Sequence, residues 1–366
     1  MTKRNKVLAW FIGLGLILFI WHNPYQPFIE YLFLPWIGIM ILIMCSLLVV
    51  MENKITLATL GSKWVWIPLF VIAISIAISG WGVEGINRLA SIGIAIVFCL
   101  LYLVARILGQ HIFKPFAVAV IIESVSIIIW GALHNWGQNG GLLSPTNYDI
   151  ATGFLIIGVL VSAIKEQWFL GALAATALFF SGSAEAYFCL GILVVAMLIR
   201  RDWSKKLWIT LGIGAILVVV ALILMPEFLQ PTFEKLGLSK EFVVSPSTDT
   251  LAPAINRQLT MQSFRFFGYG FNMTNFYIKI PHNIVFIIIE QVGFISVGAW
   301  FIVAGYMLFK TKWKYLWISF ISMGVFDHFI WTQAAPYFWV LAGVSSLNNI
   351  KNDKIYINKE ELSAIK

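Results

Sequence analysis

Residues 279–293 read KIPHNIVFIIIEQVG, which puts a cation, an imidazole, an amide and a carboxylate on one short, largely apolar segment. His282 is the group most suited to chemistry, because its proton exchange falls near neutral pH and suits it to act as a general base. Pro281 fixes the approach of the chain, Asn283 can cap a helix that starts just after it, and Lys279 supplies charge. Glu290 lies eight residues past His282, about 12 Å deeper along a regular helix. That is too far to hold the imidazole directly, so Glu290 is expected to pair with another helix or to pack protonated. A histidine placed like this can equally be a plain neighbour of lipid headgroups.

Further cations precede this segment. In APAINRQLTMQSFRFFGYGF, residues 252–271, Pro253 suits a first helical turn, and Gly268 and Gly270 suit its end. Arg257 and Arg265 are eight residues apart, about 80° around a helix, so both can face one side. Two guanidiniums on one side of a helix, leading through a Gly-Tyr-Gly turn to His282, can form an anion site. They can also snorkel to lipid phosphates.

The elements that must position these residues are set by composition. The 366-residue chain is 60% hydrophobic and 11% charged, with a mean hydropathy of +0.87. Soluble domains are about 25% charged, so the expectation is an all-α integral membrane protein. The net charge of +8 does not indicate nucleic acid, because the basic residues sit mostly in short links between apolar runs. Cys45, Cys99 and Cys189 all fall inside apolar runs, where reduced thiols rather than disulfides are expected. The basic, then apolar, N-terminal stretch lacks a small-x-small cleavage site and is expected to be a retained first span.

Apolar runs able to cross about 30 Å of hydrocarbon lie near 7–21, 31–51, 64–81, 89–108, 115–133, 149–164, 167–183, 184–199, 207–225, 284–309, 315–331 and 335–347. The expectation is thus about 12 transmembrane helices: nine in 1–225, a large extracytoplasmic loop with short helices over 226–283, and three more in 284–347. Residues 348–366 form a tail. With the N-terminus in the cytoplasm, the outer side holds only Arg88, Lys235, Lys240, Arg257, Arg265 and Lys279 of the 25 basic residues. All but Arg88 lie in the long loop, which charge bias does not govern, so both termini are expected to be cytoplasmic. No internal repeat is evident. The outer link 134–149, HNWGQNGGLLSPTNYD, carries no Lys or Arg.

Ionisable groups inside spans are costly, so each needs a reason. Glu123, in VIIESVSIIIW, can be a proton or cation ligand, or a structural carboxyl hydrogen-bonded across helices. Glu185 lies at an expected break near the outer face, and Asp327 and His328 lie towards the outer end of the eleventh run.

The order of these segments resembles the O-antigen ligase/polymerase superfamily. The matching features are the Arg-bearing INRQLTMQSFRFFGYGFNMTNF, then PHN opening a span, then Glu-x-x-Gly as EQVG. GGLLSPTNYDIATGFLIIG is similar to that family's Gly-x-x-x-x-Pro-Asn segment before the sixth span, and FFSGSAEAYF stands where it writes Ser-x-Ser-Arg-x-Ala. Two positions depart from the pattern. Ala184 and Glu185 occupy the stretch of the family's Arg, and Gln138 and Asn139 stand where members often carry a basic residue. Both departures remove positive charge from the outer face, which leaves three readings: a different donor, charge supplied by Arg88, or lost catalysis.

What the resemblance implies is a glycosyltransferase of the inner (cytoplasmic) membrane. It would move a polyprenyl-pyrophosphate-linked glycan to an acceptor hydroxyl, on a glycan or a lipid-linked acceptor, at the outer face. Arg257 and Arg265 would bind pyrophosphate, with Lys279 and Arg88 behind them, and His282 would be the base. Asn283 would orient the imidazole or bind sugar, and Glu290 would lie one layer down. No metal, cofactor or nucleic acid is expected. A rival from another class is a polytopic transporter or lipid-linked-sugar flippase that depends on Glu123 and Glu290.

Overall fold

The computed structural model describes residues 2–20, 33–53, 55–81, 86–133, 141–142, 148–164, 167–181, 188–192, 195, 284–311, 313–326, 331 and 335–347. Every regular element among them is a helix, so the all-α class expected from the sequence holds for the described residues.

The first helices are α1 (Lys3–Ile20) and α2 (Phe33–Glu52), followed by a single turn, α3 (Leu57–Leu60). Next come α4 (Lys63–Trp81) and α5 (Ile86–Leu108), and a 3-10 turn, Gly109–Ile112, leads into α6 (Phe113–Leu133). The order continues with α7 (Tyr148–Ile164) and α8 (Trp168–Phe180). Past residues 188–192, also helical, come α9 (Ile284–Val292), α10 (Phe294–Lys310), α11 (Lys314–Phe326) and α12 (Ala335–Leu347). The runs near 7–21, 31–51, 64–81, 89–108, 115–133, 149–164, 167–183 and 335–347 coincide with these helices to within a few residues; the run 207–225 and the expected loop 226–283 lie outside the described residues, and the run 184–199 is described only at 188–192 and 195. The run 284–309, expected as one span, is two helices split at Gly293. In the run 315–331 the described helix is Lys314–Phe326 and Trp331 lies in a turn, with 327–330 outside the described residues.

The core is built around α12, every residue of which from Ala335 to Ser346 is buried. A helix that is apolar all round is stable only when enclosed in this way or set in lipid. Its main neighbour is α5, where Phe98 packs against Trp339 with ring centroids 6.0 Å apart. Trp300 of α10 stacks on Phe338 at 5.8 Å, and Trp317 of α11 meets the same ring edge-on at 5.4 Å. At the start of the chain α1 and α2 form a hairpin whose open ends are joined by Arg4 and Glu52, 2.6 Å apart.

The outer helices are as apolar outside as inside. On α6 the buried face carries Phe116, Val120 and Ile127, while Val118, Ile121, Ile122, Val125, Ile129 and Trp130 are exposed. On α4 Trp64, Ile67, Phe70, Ile74 and Ile78 form an exposed stripe at helical spacing. The stretch Ser91–Trp130, which joins α5 to α6, is long and apolar enough to cross a membrane. Shorter apolar stretches of 10–17 residues occupy α2, α4, α7, α8, α10 and α12.

Candidate functional site

Among the described residues, two of the places where polar groups come together stand out. Both are points where the backbone leaves the helical path.

The first is the break between α9 and α10. Helix α9 begins at Ile284, directly after the Pro281-His282-Asn283 triplet, and Ile284 packs on Gly324 of α11. A Cβ on Gly324 would lie 2.9 Å from Ile284 Cγ2. The helix ends at Gly293, whose φ of 94° and ψ of 171° belong to a region that side-chain-bearing residues rarely adopt. The Gly293 N–H still donates back to the carbonyls of Ile288 and Ile289, at 3.0 and 3.1 Å. The chain then restarts, with the Ser296 N–H donating to the Gly293 carbonyl at 3.2 Å. Nine residues of helix place this break about 14 Å below Ile284.

A buried polar pair flanks the break. Gln291 is 1% exposed, and its Oε1 accepts the indole N–H of buried Trp331 at 3.0 Å. Trp331 in turn meets Phe98 of α5 edge-on, with centroids 6.4 Å apart. The bond therefore fastens the chain between α11 and α12 to the end of α9. Ser296, three residues into the restarted helix, is fully buried.

The second place is Glu123. It lies mid-way along α6, 1% exposed, and its Oε2 accepts the backbone N–H of Leu142 at 3.1 Å. The same N–H reaches Ser126 Oγ at 3.0 Å. The Ser126 hydroxyl is 2.9 Å from the Glu123 carbonyl and 3.3 Å from Oε2. Leu142 comes nine residues after the end of α6, yet it bonds residues seven and ten positions before that end. The chain has therefore turned back along the helix by about 10 Å or more. Gly141 has a φ of 64°, and a Cβ there would sit 2.5 Å from Glu123 Oε1, so only glycine fits this turn against the carboxylate.

Of the two readings the sequence left open for Glu123, the observed bonds are those of a structural acceptor. Its donors include a backbone turn, through the Leu142 N–H, and the Ser126 hydroxyl. Sequence reasoning passed over Gln291 and Ser126 as bonding groups, although an uncharged polar residue inside an apolar run is itself a signal that a partner exists. Arg106 is one of the basic residues that charge bias places on the cytoplasmic side, with no further role expected of it. Arg106 is 6% exposed, in the last turn of α5, and ties that turn to α3 and α12.

The remaining residues singled out from the sequence fall as follows. Arg88 stands in the first turn of α5 and Glu290 in the last turn of α9, and these placements concern the backbone alone. Arg257, Arg265, Lys279, His282 and Asn283 lie outside the described residues, as do Glu185, Asp327 and His328. Helix α9 packs on α4, α10 and α11. No family model, curated protein or solved structure matches this chain.

Proposed function

We propose that this chain is a multi-pass membrane glycosyltransferase of the O-antigen ligase/polymerase type, with about 12 crossings and both termini in the cytoplasm. The observation that carries the reading is the order of motifs around one helix. His282 and Asn283 stand directly before the first residue of α9, and the Glu-x-x-Gly that follows them in the resembled family falls on the Gly293 break.

The membrane setting is supported by the exposed faces of α4 and α6. Stripes such as Trp64–Ile67–Phe70–Ile74–Ile78 would be a large apolar patch in water, whereas in lipid they are simply solvated.

In this reading the donor is a polyprenyl-pyrophosphate-linked glycan. Arg257 and Arg265 hold the pyrophosphate oxygens, with Lys279 and Arg88 adding charge. His282 takes the proton of the acceptor hydroxyl as that oxygen bonds to the anomeric carbon. The bond from that carbon to the pyrophosphate oxygen breaks in the same step. The electron pair leaves with the pyrophosphate, where the guanidiniums stabilise it. One displacement of this kind inverts the anomeric carbon. Asn283 orients the imidazole or a sugar hydroxyl, and Glu290 serves one layer below.

One specific observation favours a second reading. A helix broken inside an apolar run, in a bundle with a buried mid-helix carboxylate, is also how transporters build substrate and ion sites. The two readings separate by experiment in proteoliposomes. The transferase reading expects Arg257→Ala to abolish glycan transfer and Glu123→Gln to leave it largely intact. A loss of substrate uptake confined to Glu123→Gln would favour the transporter.

A further inference from the structure

The chain passes from α2 to α4 through the single turn α3, and this link spends its polar groups on itself and on the bundle. Asn53 closes α2, its side-chain N–H donating to the Val49 carbonyl at 2.7 Å. The hydroxyls of Thr56 and Thr59 each accept the other's backbone N–H at 3.3 Å. The Leu60 and Gly61 N–H groups donate to the Thr56 and Leu57 carbonyls, both at 3.1 Å. Arg106 and Tyr102 of α5 hold the Thr59 and Leu60 carbonyls, and Gly61, at a φ of 75°, packs directly on the Arg106 guanidinium. A link tied in this way is fixed to the bundle and asks little of water.

What it turns outward is apolar. Leu57 and Met51 are each 80% exposed, Ile55 is 45% exposed and Trp64 57%. Trp64 is also the first member of the exposed stripe that runs along α4 to Ile78. The one charged residue of α4, Lys63, stands at the end of that stripe, exposed, with Nζ 5.7 Å from the Trp64 ring centroid. An apolar face that ends in a tryptophan and then a lysine follows the depth order of a bilayer: chains, interface, phosphate. Because its backbone groups are already bonded, the link can enter that interface at little cost.

We propose that this link is a membrane-interface anchor: Ile55, Leu57 and Trp64 lie at the boundary between headgroups and chains, and Lys63 binds the phosphate of an acidic phospholipid. The proposal rests on the membrane setting above and is independent of the transfer chemistry. In the topology proposed there, this is the cytoplasmic leaflet, whose acidic lipids attract such a cation.

The test uses the full chain in proteoliposomes of phosphatidylcholine and phosphatidylglycerol. A nitroxide is attached at Leu57→Cys and, in a second protein, at Ile122→Cys on the exposed side of α6, each in a chain whose three cysteines are replaced by alanine. Collision with dissolved oxygen, against collision with a water-soluble nickel chelate, reports the depth of each label. Native mass spectrometry then measures phosphatidylglycerol binding to wild type, Lys63→Gln and Lys114→Gln with the native cysteines in place. Lys114, exposed in the first turn of α6, is the reference for a general effect of charge. The expected result is both labels in lipid, position 57 the shallower, and the first phosphatidylglycerol bound about fivefold more weakly in Lys63→Gln alone. Position 57 open to the chelate with position 122 in lipid overturns the anchor, leaves the membrane setting standing and hands the apolar link to a soluble partner or a second copy. Both labels open to the chelate overturns the membrane setting itself. Equal weakening in Lys63→Gln and Lys114→Gln, or none in either, overturns the headgroup site, and this arm decides even if the alanine background fails to fold.

Discussion

Arg106 Nη1, in the last turn of α5, donates to Ser346 Oγ, near the end of α12, at 2.6 Å. The same guanidinium donates from Nε to the Thr59 carbonyl at 2.6 Å, and Tyr102, one turn earlier, donates to the Leu60 carbonyl at 2.9 Å. Two carbonyls at the end of the short helix α3, which the missing next turn would otherwise leave open, are thereby satisfied. One fork-shaped cation joins three pieces of chain that are far apart in sequence.

Arg106→Ala should consequently lower stability by about 3 kcal/mol, since it strands buried acceptors that a charged donor had satisfied. Arg106→Lys keeps the charge but has a single nitrogen and cannot reproduce both bonds, so an intermediate loss is expected. Thermal unfolding in detergent checks the ranking. Equal midpoints for the alanine and lysine variants would refute the two-bond account.

At the α9–α10 break, Gly293 holds a backbone conformation that costs a residue with a side chain about 1–3 kcal/mol. Gly293→Ala should therefore destabilise the protein by about 2 kcal/mol, measured by the same unfolding midpoint. Trp331→Phe keeps most of the ring packing but removes the donor to Gln291 Oε1, a loss of about 1–2 kcal/mol. In Trp331→Phe, a further Gln291→Leu should then cost little. The non-additivity of the pair is the signature of their bond.

The exposed face of α6 yields a prediction of opposite sign in the two possible solvents. Ile122 is 51% exposed, near the middle of that helix. In lipid, Ile122→Lys should cost about 3 kcal/mol and reduce the protein recovered from the membrane fraction. In water the same change would be neutral or improve solubility, and that outcome would refute the membrane setting.

How much of this could be read from the sequence depends on what each feature is made of. Helices such as α4, α6 and α12 were legible to within a few residues because hydrophobicity alone defines them. The split at Gly293 was not, because IVFIIIEQVGFISVG is apolar on both sides and composition does not report a backbone angle. Arg106 shows the same limit from another direction. Its place at the end of the run 89–108 is plain from the residues, but only packing reveals that it is buried against Thr59 and Ser346. Glu123 was identified as needing a partner, while Leu142 as that partner was invisible, since a backbone N–H leaves no trace in residue type. His282 and the two arginines were chosen from motif order, which carries chemistry but no distances.

The most direct test of the central claim is single-turnover glycan transfer by full-length protein in proteoliposomes, comparing wild type with His282→Ala at matched reconstitution. Donor is supplied as a polyprenyl-pyrophosphate-linked oligosaccharide. The account predicts transfer by wild type and a loss of at least about 100-fold in His282→Ala, the scale of a missing general base. Bound donor should remain near the wild-type level. Equal transfer rates in the two proteins, or none in either, would contradict it.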